Sequence, residues 1–213
     1  MSLAEVKLFY SFYQQLKTGS MQFNKIILFV TVICFMSSFA QAQPEKKTEE
    51  ICYNPNAKGD TSKRSIKSAA VGKIGEANIT INYHSPGVRG RTIWGGLVPY
   101  NDVWVTGAHL ASNMEIDKDF KVAGTTIPKG KYAIFTIPGK ERWTIIINKN
   151  WNQHLTDDYL QTEDVVRIDV QPEQLNENLE RLQYYIEEKK ENKGIIAVAW
   201  EKIKVFFDIN IKD

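Results

Sequence analysis

Three histidines, His84, His109 and His154, are the natural starting point for chemistry near neutral pH, because an ordinary imidazole titrates there. They stand in separate segments without the i, i+4 or short-loop spacing of a zinc site, so the sequence assigns no metal ligands and no cofactor. Ser85 follows His84, but neighbours along a strand point to opposite faces, so the two do not make a catalytic dyad. No G-x-S-x-G elbow is present to expose a nucleophile. Asp157-Asp158 and Glu163-Asp164 surround Tyr159 in a polar stretch, where paired carboxylates suit either acid-base work or plain solvation. Catalytic residues stay unassigned, and the reading favoured by these types and spacings is a protein that is not an enzyme.

Binding chemistry concentrates in one stretch, SPGVRGRTIWGGLVPYNDVWVTG, from Ser85 to Gly107. Its glycines permit positive φ or close backbone approach, and Pro86 and Pro99 fix the chain direction, so it reads as a compact ordered loop. Arg89 and Arg91 supply forked donors for a carboxylate or sulfate, or else bind Asp102 and the loop's own carbonyls. Trp94, Tyr100 and Trp104 offer rings for stacking on a sugar, or close the end of a core. His109 lies just beyond. These six residues, Arg89, Arg91, Trp94, Tyr100, Trp104 and His109, are the candidate ligand-binding set. Trp143 and Trp200 read as core.

The elements that must position them are strands. In Ala77 to Tyr83, Ile79, Ile81 and Tyr83 share one face while Thr80 and Asn82 take the other. Tyr132 to Ile137 and Trp143 to Asn148 flank Pro138 to Arg142 as a hairpin, and Val165 to Val170 alternates again. NENLERLQYYIEEKKENKG, from Asn176 to Gly194, has a helix-forming composition, yet Leu182, Tyr184 and Ile186 alternate with Arg181 and Gln183. With the β-rich GIIAVAWEKIKVFFDI that follows, it is expected to make three antiparallel strands. Nine to eleven short strands and no long helix imply an all-β fold, a single antiparallel β-sandwich or barrel-like domain.

Ahead of this domain, Lys25, the apolar run Ile26 to Phe39 and Ala40-Gln41-Ala42 have the form of a cleaved secretory signal peptide, too short for a stable transmembrane span. Residues 1–42 are therefore expected to be removed, with Met21 the true start and the product exported to the periplasm or beyond. Removing Lys7, Lys17, Lys25 and Glu5 from the chain's 27 cationic and 25 acidic residues leaves equal numbers of each. That balance argues against nucleic acid as a partner. Cys52 then stands alone, so stability must come from a hydrophobic core. Residues 43–64, poor in apolar side chains, read as a flexible polar linker to the domain at 65–213.

INYHSPGVRGRTIWGGLVPYNDVWVTGA, TIPKGKYAIFTIPGKERWTIIINKNWNQ, DVVRIDV and AVAWEKIKVFFDI, in that order, resemble the DUF2911 family, exported bacterial proteins with a domain of unknown function. The likeness runs from about Ser65 to Ile209 and implies no transferable activity. Where family members resemble Trp-Arg-Thr-Gly-Ala-Asn-Glu-Ala-Thr, this chain has Val105, His109 and Leu110 in place of the Arg, Asn and Glu. Three function classes follow from the sequence: a binding or structural module for a glycan, a small anion or an envelope protein; a hydrolase of envelope or extracellular material using a loop histidine and carboxylate; and a strand-edge partner in an envelope assembly.

Overall fold

Alternation in the second strand is reproduced residue by residue: Ala77, Ile79, Ile81 and Tyr83 are buried while Asn78, Thr80, Asn82 and His84 are not. The computed structural model describes residues 64–212, so the expectations for the leader and for most of the linker lie outside the described residues. The strands are β1 (Ser65–Ile74), β2 (Ala77–Pro86), β3 (Asn113–Ile116), β4 (Phe120–Val122), β5 (Thr125–Ile127), β6 (Gly130–Ile137), β7 (Trp143–Asn148), β8 (Asp164–Val170), β9 (Glu173–Lys190) and β10 (Lys193–Ile211). They form two sheets, ordered β1-β2-β3-β6-β7-β8 and β5-β4-β10-β9, with every pairing antiparallel. The fold is an all-β sandwich, and among the described residues no helix is long and apolar enough to cross a membrane.

The main core lies between the sheets. Ile79, Ile81, Met114, Ile134, Ile145 and Ile147 from the larger sheet meet Leu182, Tyr184, Ile196, Trp200, Val205, Phe207 and Ile209 from the smaller. β6 and β7 read as nearly continuous apolar runs because they are covered on both faces. Ala133, Phe135 and Ile146 point away from the main core into a second cluster with Val105 and Ala111. Two loops supply that cover, residues 99–112 before β3 and residues 149–163 before β8.

The helical composition of Asn176 to Gly194 is overridden. β9 is a strand, and its Leu182 and Tyr184 are buried against the core. Propensity is worth tenths of a kcal/mol per residue, whereas pairing with the apolar β10 buries whole side chains. The expectation of three strands here is corrected to two. Register shifts around Glu201, whose φ is +54°, form a bulge that lets β10 bend and continue as one 19-residue strand without a turn.

Candidate functional site

The glycine-rich stretch is fixed from several sides. Val88 N–H donates to Glu180 O, Asn101 N–H to Pro138 O, and Trp104 exchanges both backbone bonds with Thr136. Gly95 sits at φ +76° under the Tyr100 ring, where a Cβ would stand 2.8 Å from the ring, so no side chain fits. The Trp94 indole packs edge-on against Trp104, Trp143 and Trp200 at centroid distances of 5.8, 4.8 and 5.9 Å. Trp104 also stacks on Trp200 at 5.9 Å. The four indoles thus close one end of the main core.

Arg91 turns back on its own loop, donating from Nε to Val88 O at 3.1 Å and from Nη2 to Gly87 O. Asp102 is not its partner. Arg89 is exposed, and its backbone N–H, at a φ of +51°, donates to the Glu180 carboxylate. Arg91→Ala should therefore cost about 1 kcal/mol, the net value of such bonds, while Arg89→Ala stays within about 0.5 kcal/mol. Denaturant midpoints of the two variants beside the parent check this, and equal costs would contradict it.

His109 leaves that group. At a φ of +62° its ring shares a 2.8 Å hydrogen bond with Ser65 Oγ and meets His84 edge-on at 5.2 Å. The six sequence candidates consequently do not converge: Trp94 and Trp104 pack inward, Tyr100 lies over Gly95, Arg91 bonds its own loop, Arg89 is exposed beside Glu180, and His109 sits beside β1 and β2. Val105 enters the second cluster, Leu110 lines a cleft, and His109 stands against His84 of that cleft.

That cleft lies on the outer face of the six-stranded sheet, where the two covering loops end, and holds about 340 Å³. Lys67 of β1, opposite His84 of β2, stands at one side, and Asn82 pairs across to Asn113 of β3. Lys131 of β6 lies along the next row, its Nζ 4.0 Å from the centroid of the Trp151 ring. Leu110, Asn152 and Gln153 complete the wall. The loops are joined there, Ala111 N–H to Gln153 O at 3.0 Å and Leu155 N–H to His109 O at 2.6 Å. Lys67, Lys131 and His84 are thus gathered with an exposed indole, and among the described residues no carboxylate lines the cleft.

Two amides carry an imbalance. Asn113 Nδ2 donates to Ala111 O and Gln153 Nε2 to Asn150 O, which fixes how each amide is turned. Their oxygens, Asn113 Oδ1 and Gln153 Oε1, are buried with no partner among the described residues. A buried acceptor without a donor costs about 1–3 kcal/mol.

Burial first, then the neighbouring His109 and Lys67, hold the His84 imidazole below its ordinary value. The unfolded chain binds this proton more readily, so stability rises with pH through the window below roughly pH 6.5 and is lost on acidification. His84→Gln should flatten that part of the profile, measured as the change in unfolding midpoint between roughly pH 5.5 and 7.5. A variant as acid-sensitive as the parent would contradict it.

Sequence reasoning missed the cleft. Lys67, Asn82, Asn113, Lys131 and Gln153 are scattered over 87 positions and look like ordinary strand or loop surface. The available signal was the run of polar residues at the outward positions of β2 and β3, next to strands apolar on both faces. Among the described residues, no three His, Cys, Asp or Glu side chains gather as metal ligands.

A family model described as "Protein of unknown function (DUF2911)" matches residues 65–209. No curated protein and no solved structure matches the chain.

Proposed function

This chain belongs to the DUF2911 family, whose description assigns no activity, and from that premise we propose that it is an exported, non-catalytic binding module that captures its ligand in the outer-face cleft. The observation that carries the reading is the convergence of Lys67, His84, Lys131 and the exposed Trp151 ring on one concavity free of lining carboxylates. The glycine-rich loop is scaffold on this reading. A thermal-shift screen of oligosaccharides and small anions tests it, because a ligand at 100 times its Kd stabilises the fold by about 2.7 kcal/mol. A hit abolished by Trp151→Ala and retained by Arg89→Ala supports the cleft. Hits lost in Arg89→Ala alone would move the site back to the loop.

Export rests on the apolar run and the Ala40-Gln41-Ala42 signal. Intact-mass measurement on exported material should give a chain beginning at Gln43, and a product still carrying Ile26 to Phe39 would contradict it.

One observation favours a hydrolase as the second reading. His154 Nδ1 lies 2.9 Å from Asp157 Oδ2, a histidine and carboxylate in contact. Both side chains are more than half exposed, at 59% and 63%, and neither lines the cleft. Turnover of a cleft ligand that stops in His154→Ala would establish this reading.

A further inference from the structure

We propose that the cleft's ligand is an anionic oligosaccharide, a chain of hydroxyl-rich rings carrying uronate carboxylates or sulfate esters. The inference rests on the cleft being the binding site and adds the chemical class of what it takes.

Three features of the wall select that class together. The first is the pair of buried amide oxygens on Asn113 and Gln153, the latter residue only 4% exposed. With one N–H of each amide donating within the protein, the two oxygens are the unanswered acceptors, so a complementary ligand brings O–H or N–H groups. Simple inorganic anions have none to offer when fully ionised. Sugar hydroxyls do. The oxygens are sealed as the cleft stands, so a ligand reaches them only once side chains at the rim, where Leu110 is 52% exposed, have moved aside.

The second feature is charge. Lys67, Lys131 and the titratable His84 line the cleft. The carboxylate nearest in register, Glu115 opposite Lys131, lines an adjacent groove with Asn78, Asp117, Lys129 and Lys131 itself. Asp117 is itself held by Asn78, at 2.6 Å from Nδ2 and 2.8 Å from the backbone N–H. Among the described residues Lys131 has no carboxylate within ion-pairing distance, and its ammonium lies over the Trp151 ring. A neutral ligand would leave both ammonium groups without an anionic partner.

The third feature is the half-exposed indole at the rim, a flat apolar surface of the kind on which the C–H face of a pyranose packs, beside Leu110. At about 340 Å³ the cleft is near the lower limit of small-ligand sites, roughly 300–1,000 Å³, so it seats a short segment of a chain.

The test is calorimetric titration of the full chain with trigalacturonate, with its methyl ester and with a sulfated trisaccharide of matched length. The ester keeps the rings and free hydroxyls and removes the charge. Trigalacturonate or the sulfated sugar should bind, and whichever binds more tightly identifies the source of the anion. The ester should bind at least about tenfold more weakly than the better acid. Lys67→Gln and Lys131→Gln should each weaken the acid by about tenfold and leave the ester unchanged, with Lys131→Arg restoring most of the loss. Trp151→Ala should weaken both. Thermal unfolding of each variant confirms that it folds.

Equal affinity for acid and ester, with Trp151→Ala still weakening both, would overturn the anionic class and leave the cleft standing. An acid that binds indifferently to all three cleft substitutions would overturn the cleft itself. Failure of all three sugars to bind would overturn the proposal, and the broader screen then judges the cleft separately.

Discussion

Trp200→Ala should lower the unfolding free energy by about 3–5 kcal/mol, the range for truncating a buried aromatic side chain. The indole is 1% exposed, stacks on Trp104, and meets Trp94 edge-on, so its removal opens a cavity bordered by two other tryptophans. Domains of this kind have about 5–15 kcal/mol in total, so the variant is expected to unfold at far lower denaturant. Trp200→Phe should lose much less. Its Nε1 is buried without a partner, so phenylalanine also removes an unsatisfied donor and offsets part of the lost packing. A chemical-denaturation series across the two variants decides it. A cost below about 1 kcal/mol for alanine would mean that the tryptophan cluster does not close the core.

The second large effect is at Asp164, whose carboxylate is 6% exposed and accepts from Asn148 Nδ2 at 2.8 Å, Tyr159 Oη at 2.8 Å and Arg167 Nη1 at 3.1 Å. Burial first, and then the Asp164 bond, push the Tyr159 phenol up to about 12, so it stays a donor across the working pH range. Asp164→Ala removes the common acceptor of three donors. Because Arg167 is 33% exposed, water takes over part of its share, and the cost should be about 2–3 kcal/mol.

The consequence reaches the cleft through the 149–163 loop. Asn148 also donates from Nδ2 to Leu160 O and accepts from Asn150 N–H, and Asn150 O holds the Gln153 amide. Without Asp164, the loop carrying Trp151 and Gln153 should open, and limited proteolysis should cut within 149–163 first. Asp164→Asn, which keeps one acceptor, should fall between parent and alanine. Unchanged protease resistance in Asp164→Ala would contradict this link.

The strands were legible because burial on one face writes a period of two, as in Ile79, Ile81 and Tyr83. β9 was legible for the same reason, against its composition. The continuity of β10 was not, since a bulge at Glu201 depends on how two strands share a register and has no local signature comparable to a turn. Trp143 and Trp200 read correctly as core, and the glycines of the loop as fixed backbone. The site was less accessible. His84 and His109 are 25 positions apart and meet only because β2 and the loop before β3 come together at one end of the sheet. Lys131 looks like solvated surface until Trp151 is folded over from a loop 20 residues later. The aromatic and arginine-rich stretch attracted the functional reading because its residue types suit ligands; in the structure Arg91 bonds the carbonyls of its own loop, and Trp94 and Trp104 pack on Trp200.

The most direct test of the central claim is backbone chemical-shift mapping of the isotope-labelled protein titrated with trigalacturonate. Shifts gathered at Lys67, Asn82, His84, Asn113, Lys131 and Asn152 to Gln153, with Arg89 to Tyr100 unmoved, are the result expected if the outer-face cleft is the binding site. Shifts centred on Arg89, Arg91 and Tyr100, with the cleft silent, would contradict it.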